Sequence, residues 1–296
     1  MFRKLTFICI LAALSLSCGA ALAAFEDMPV SPRARAMGEA GAAVVDGVYA
    51  TFLNPAHLGS TTNGSIAASY VKPFQLSFTN YYHLGSAIPI SPGNGAFGIS
   101  LTQFKVEHQN VRLLEESRIS LGYGKTIYSD MHSQVDLGTS VNMYHLKFGE
   151  TTSGIDPGND SAMGVDLGIL VTVHKRTKMG VLIKNVNNPQ IGVDEEELAH
   201  RLIAGVSYEP YDGVITTFEF DNELGQDGQY HGGIEFLPVT GFALRAGIVT
   251  NPNKLTAGFG YTLEQLTFNY GFSTGGGTLD STHQLGLSIA WGGEAQ

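Results

Sequence analysis

Charged residues stand near the centres of otherwise alternating segments: Asp136, Asp166, Arg201, Glu219, Asp221, Glu235 and Arg245. Charges so placed either act on a substrate or pair with one another in an enclosed space. The chain has no G-x-S-x-G motif, and its nine histidines show no H-E-x-x-H or other paired metal-ligand spacing. The alternating registers bring no Ser, His and acid triad together. Asp156, Asn159 and Asp160, and likewise Asp194 to Glu197, lack the Gly and Glu spacing of a calcium loop. Gly258-Phe259-Gly260 and Gly275-Gly276-Gly277 lack the strand-to-helix setting of phosphate binding. Catalytic residues, a metal and a cofactor are all expected to be absent. Two readings remain: pairing with Arg33 and Arg35, in a stretch unlike the rest of the chain, or solvated lumen charges without specific partners.

The elements that would position these charges are strands. From residue 64 onward apolar residues recur with period two: Phe97, Ile99 and Leu101 oppose Gly98, Ser100 and Thr102, and Ile119, Leu121 and Tyr123 oppose Ser120, Gly122 and Gly124. About fourteen segments follow this pattern: 64-72, 75-90, 95-108, 115-127, 133-149, 161-174, 178-186, 199-209, 213-223, 230-238, 241-250, 254-263, 265-274 and 281-291. An even number lets an antiparallel meander close with both ends on one side. Every second connection is four residues or fewer, whereas most of the others, such as 109-114, 149-160 and 187-198, are longer. A soluble sandwich has no reason to alternate its turns in this way, and an outer-membrane barrel does.

Which face is apolar decides the class. The face of Gly, Ser, Thr and Asn carries the charges, so it belongs inside, with Leu, Val, Ile and Phe turned to lipid. Tyr70, Phe104, Tyr128, Tyr208, Tyr261 and Trp291, near strand ends, suit interfacial girdles. The expected fold is all-β, a transmembrane antiparallel β-barrel of about 14 strands with an N-terminal helical and turn plug. The competing readings are a soluble secreted β protein and an outer-membrane enzyme.

The N-terminus supports export. Arg3 and Lys4, the apolar run Leu5 to Leu16 and Ala21-Leu22-Ala23 form a secretory signal, residues 1-23. Ser15, where a lipoprotein site wants Leu, disfavours lipidation at Cys18. Both cysteines lie in the signal, so the mature chain can form no disulfide and has no thiolate. Losing Arg3 and Lys4 takes the net charge from −10 to −12, which argues against nucleic acid as a partner. Residues 24-63 are expected to form the plug, 64-291 the barrel and 292-296 a short tail.

The plug segment breaks the strand period. Small residues dominate Ala34 to Ala43, Gly38 and Gly41 permit close backbone approach, and Asn54-Pro55 forms a turn with Asn54 pushed out of the helical region. Arg35-Ala36-Met37-Gly38-Glu39-Ala40-Gly41-Ala42-Ala43-Val44, then Asp46, then Tyr49-Ala50-Thr51-Phe52-Leu53-Asn54-Pro55-Ala56 with Leu58, resembles the N-terminal signature of the PorV/PorQ branch of the FadL-like outer-membrane barrels. The resemblance implies a fourteen-stranded barrel with an N-terminal plug carrying Arg35, Gly38, Gly41, Asn54, Pro55 and Ala56. It also implies an outer-membrane location after Sec export, among lipid and lipopolysaccharide, in a Gram-negative-type bacterium. The role expected from it is an accessory one in type IX-like protein secretion, beside a secretion-pore protein. The alternative is a channel for hydrophobic small molecules such as fatty acids, which short loops, leaving little room for external capture, disfavour.

Overall fold

The computed structural model describes residues 25, 28–44, 46–91, 93–109, 111–149, 158–192 and 195–292. The signal segment 1-23, and all of the expected tail but Gly292, lie outside them.

Among the described residues, fourteen strands close into one antiparallel barrel. They are β1 (Gly64–Lys72), β2 (Thr79–Pro89), β3 (Ala96–His108), β4 (Val111–Ser129), β5 (Ser133–Phe148), β6 (Asn159–Val173), β7 (Thr177–Lys184), β10 (Arg201–Tyr211), β11 (Val214–Glu223), β12 (Gln229–Val239), β13 (Phe242–Val249), β14 (Lys254–Leu263), β15 (Leu266–Ser273) and β16 (Thr282–Trp291). A two-stranded ribbon, β8 (Gln190–Ile191) and β9 (Glu196–Glu197), lies between β7 and β10. β1 closes on β16 from Gly64↔Trp291 to Lys72↔His283, so no sheet edge is left to pair with another chain. At that seam the indole of Trp291 covers Gly64, where a Cβ would collide with the ring. An aromatic laid over a strand glycine restores the packing that the glycine lacks.

The alternation sets the two faces. Phe97, Ile99 and Leu101 are exposed outside, while Ser100 and Ser120 face in and are buried. This apolar outer surface is costly in water and stable in hydrocarbon, as in a membrane-spanning barrel. No helix among the described residues is long and apolar enough to cross a membrane.

Strands meet at a turn end and a loop end. The turn end has tight connections, with Gly213 (φ +82°) and Gly241 (φ +81°) supplying the left-handed backbone that two-residue hairpins need. β3 to β6 are 13 to 19 residues long, and they raise one side of the wall at the loop end. Two expectations are corrected here. The connection 109-114 is not a long loop, because β4 already begins at Val111 and pairs with His108. Phe104 is no girdle residue: it packs inward on Tyr81 and Phe52, since its position has the parity of Thr102.

Candidate functional site

The N-terminal segment runs inside the barrel as short helical pieces: α1 (Pro32–Ala36), a 3-10 turn (Gly47–Tyr49), α2 (Ala50–Leu53) and a second 3-10 stretch (Pro55–Ser60). Ser31 caps α1 by accepting from the Ala34 amide, and Pro32 opens it where no amide is needed. The helices stay short because Gly38 (φ +71°) and then extended Asn54 (φ −163°) turn the chain. A Cβ on Gly38 would meet the carbonyl oxygens of Gly232 and Ile248 in the wall.

The two plug arginines behave differently. Arg33 grips Glu235 with a fork, Nε to Oε2 at 2.9 Å and Nη2 to Oε1 at 2.6 Å, and gives Nη1 to Asp46 at 2.7 Å. Arg245, opposite Glu235 in the β12–β13 ladder, donates Nε to Glu235 Oε2 at 2.6 Å and Nη1 to Asn269. Burial opposes the Arg33 charge, but Asp46 and Glu235 override it and raise its pKa above the usual arginine range. Arg35 meets none of the lumen carboxylates proposed for it. It donates to Gln284 Oε1 (2.7 Å) and Ser273 Oγ (3.1 Å), and its nearest carboxylate among the described residues is Glu39 of its own segment, 3.5 Å away. Burial therefore lowers its pKa, with Glu39 opposing.

The other predicted charges take separate partners. Asp136 accepts from Thr126 and Gln134 below the plug, Arg201 pairs with Asp221, and Asp166 pairs with Arg118. Glu219 Oε2 accepts the Gly41 and Ala42 amides at 2.9 and 2.6 Å, so a wall carboxylate holds plug backbone here.

Asn54-Pro55-Ala56 is wedged against the opposite wall. Asn54 is fully buried; its Nδ2 donates to Ala42 O (2.8 Å) and its Oδ1 accepts from the Ala56 amide (3.1 Å). His57 Nε2 also donates to Ala42 O at 3.2 Å. A Cβ on Gly138 would collide with Pro55 C and O, and one on Gly168 with Asn54 Oδ1. Burial, joined by the charges of Lys178 and Arg33, pushes His57 down to about 3, against the Ala42 bond that pulls it up. The folded pKa lies below the unfolded 6.5, so the unfolded chain binds the extra proton between the two values. This group costs nothing above pH 6.5, and stability falls as pH drops towards 3, by about 1.4 kcal/mol per unit. The urea midpoint should fall between pH 7 and pH 4.5, and by less in His57→Gln, which removes only this proton; equal falls would refute the assignment.

Above the wedge, α2 presents Phe52 between two cations, with Arg118 Cζ 4.4 Å and Lys184 Nζ 4.6 Å from the ring centroid. Arg118 is fixed by Asp166 Oδ2 (3.1 Å) and Asn142 Oδ1 (3.0 Å), and Asn142 Nδ2 also donates to Asp166 (2.8 Å). Tyr49 stacks on His83, 5.4 Å between centroids. Arg118, Lys184 and Phe52 are absent from the predicted site. The signal for Arg118 was available, since it shares the parity of Ser120 and Gly122.

Two cavities lie above the plug. A small one, ≈ 30 Å³, is lined by Phe25, Met28, Phe52, Tyr81, Phe104 and Tyr144, with Arg118 and Glu116. It shares Phe25, Met28, Phe52 and Ala199 with a vestibule of ≈ 300 Å³ at the loop end. Residues 185–192 and 195–200 fold over this region: Ile191 and Leu198 are buried against Tyr144 and Leu146, and Asn185 accepts from Tyr144 Oη and donates to Ala199 O. On the lipid side an apolar groove of ≈ 490 Å³ lies over Ala68 between Tyr70, Tyr82, Leu84, Leu285 and Leu287, where the β1 ladders run without a register shift.

No protein-family model and no curated protein matches the sequence. Solved structures do match in shape. The toluene transporter TodX of Pseudomonas putida superposes with a TM-score of 0.62 at 12% identity, covering 91% of this chain and 100% of its own. The CymD monoaromatic hydrocarbon channel gives 0.59 at 14%, covering 90% and 98%. A FadL homologue of Pseudomonas aeruginosa gives 0.58 at 10%, covering 91% and 99%. The chain thus has the fold of the FadL-like barrels, a closed fourteen-stranded wall around an N-terminal segment.

Proposed function

We propose that this chain is a non-catalytic outer-membrane channel for small hydrophobic molecules, exported by its signal segment and resident in the outer membrane of a Gram-negative-type bacterium. The observation that carries this reading is the vestibule of ≈ 300 Å³ between plug and wall, whose lining includes Phe25, Met28, Phe52, Leu53 and Phe74. TodX and CymD, a toluene transporter and a monoaromatic hydrocarbon channel, lend it support. The turn end then faces the periplasm and the loop end the exterior. Lys105, His145 and Lys147, on the outward face above the apolar band, would lie among lipid and lipopolysaccharide head groups.

The secretion-accessory role draws less support. Most residues carrying the PorV/PorQ resemblance lie inside: Asn54, Ala56 and Leu58 are fully buried and Arg35 is 4% exposed, so they offer a secretion pore little surface. The short loops do not count against transport either, because the capture surface is the inner wall. In cells whose outer membrane resists toluene, expression should raise the initial rate of radiolabelled toluene uptake several-fold over the vector control. An unchanged rate with correctly inserted protein would sink the proposal.

A further inference from the structure

The outer face carries a row of lysines that passage through the barrel does not use. Tyr70, Tyr82, Gln103, Ser117 and His145 are successive partners along one rung of the wall, from β1 to β5. Two residues further towards the loop end, on the same outward side, stand Lys72, Lys105 and Lys147. Lys72 and Lys105 are half-buried and Lys147 is exposed. Among the described residues no carboxylate lies within ion-pair distance of any of the three. Glu115 is the ladder neighbour of both Lys105 and Lys147, but its carboxylate is taken by Gln103 Nε2 (2.6 Å) and by Arg112. Unpaired lysines in a row are unexpected on a chain whose net charge is −10.

Beside this row lies the apolar groove of ≈ 490 Å³. Tyr70 and Gln103, which line it, are each two residues from a lysine of the row. The floor is Ala68, the ladder partner of both Leu84 and Leu287. A methyl group among such large neighbours leaves a dip, in the volume range of ligand sites. The loop-side rim is fixed: the rings of Tyr70 and Tyr82 are 5.2 Å apart, and Tyr70 Oη donates to Asn80 Oδ1 at 2.8 Å.

Cations over an apolar groove on a lipid-facing wall match an anionic lipid, with its phosphate on the lysines and an acyl chain below. Position narrows the occupant. With the loop end outside, the groove opens to the outer leaflet, where the anionic lipid is lipopolysaccharide. Neighbouring strands are about 4.8 Å apart, so the backbones of Lys72 and Lys105, two strands apart, are separated by about 10 Å. Lipid A, with two separated phosphates, can meet both. A second copy of this chain, docked through the same face about a two-fold axis, would set lysines against lysines.

We propose that the face formed by β16, β1, β2 and β3 binds one lipopolysaccharide molecule, with lipid A phosphates on Lys72 and Lys105 and an acyl chain in the groove over Ala68. This rests on the outward orientation of the loop end in the channel reading, and it adds a specific lipid to that reading.

The test is native mass spectrometry of the full mature chain, released from detergent after titration with rough-type lipopolysaccharide, its monophosphoryl form or phosphatidylglycerol. One retained lipopolysaccharide per chain is expected, with the other two lipids held several-fold less tightly. Lys72→Gln with Lys105→Gln should weaken retention of lipopolysaccharide about tenfold, the effect of losing two exposed ion pairs. Ala68→Phe fills the groove, keeps the lysines and should weaken retention several-fold. Lys125→Gln with Lys175→Gln, at exposed lysines of the turn end, should change nothing. Heat-modifiable gel mobility confirms that each variant barrel is closed. Parent-like retention by the Lys72 and Lys105 double variant or by Ala68→Phe, equal retention of phosphatidylglycerol, or an equal loss from the turn-end variant would each overturn the site. Toluene uptake is read separately, so a barrel that transports toluene and ignores lipopolysaccharide loses this inference alone.

Discussion

Glu235→Ala is expected to lower the stability of the seated barrel by about 3 to 5 kcal/mol, the cost of stripping a buried ion pair of one partner. Glu235 is 4% exposed and receives three donors, two from Arg33 and one from Arg245. Its removal leaves two guanidinium groups facing each other at low dielectric, with only Asp46 and Asn269 to hold them. Asp46 is the weaker anchor, because its side chain is 41% exposed whereas that of Glu235 is 5%. The check is the urea midpoint of the barrel in lipid, together with protease access to the α1 region. Arg33→Met in the same background separates the effects: it removes one of the two stranded cations and should recover part of the loss. A Glu235→Ala midpoint equal to the parent would show that the network is not what seats α1.

Gly138→Val is expected to open the channel while leaving the wall closed. Gly138 lies in β5 with ordinary extended backbone, and valine is a better strand residue than glycine, so the sheet itself should gain. The obstacle is the plug: the new Cβ would collide with Pro55 C and O and with Ala56 N, which are backbone atoms and cannot swing aside. Overpacking of this kind typically costs about 1 to 3 kcal/mol. Here the cheapest relief is for the Asn54-Pro55 turn to leave its seat. A fourteen-strand barrel with a displaced plug conducts ions, so planar-bilayer recordings should show large conductance steps that the parent lacks. Gly232→Val, at a strand glycine whose added Cβ would make only ordinary contact with Ile248, is the control for expression. Parent-like silence from a folded Gly138→Val barrel would mean that the turn yields without unseating.

Much of this architecture was legible one strand at a time. Parity along Phe97, Ile99 and Leu101 named the lipid face, and the same parity applied to the ends of β3 and β4 assigns Phe104 and Arg118 to the lumen. The habit of aromatics at membrane interfaces points Phe104 outward, but the backbone pleat turns it in. The 187-198 stretch looked like an ordinary polar loop. The apolar residues Ile191 and Leu198 are what tuck it against Tyr144, and isolated side chains so spaced give no periodic signal.

Alternation is a local property, dictated by backbone pleat and by the solvents on the two sides of the wall, so the class, the strands, the lipid face and the inward charges can be read along the chain. Partnership is not local. Which charges meet depends on how far each strand is staggered against the next and how deep the plug sits, and both are sums over the whole closed ring. That Arg33 takes Glu235 and Arg35 takes Gln284, and that Arg118 and Lys184 hold Phe52 between them, therefore follows from the closed ring and from no single strand.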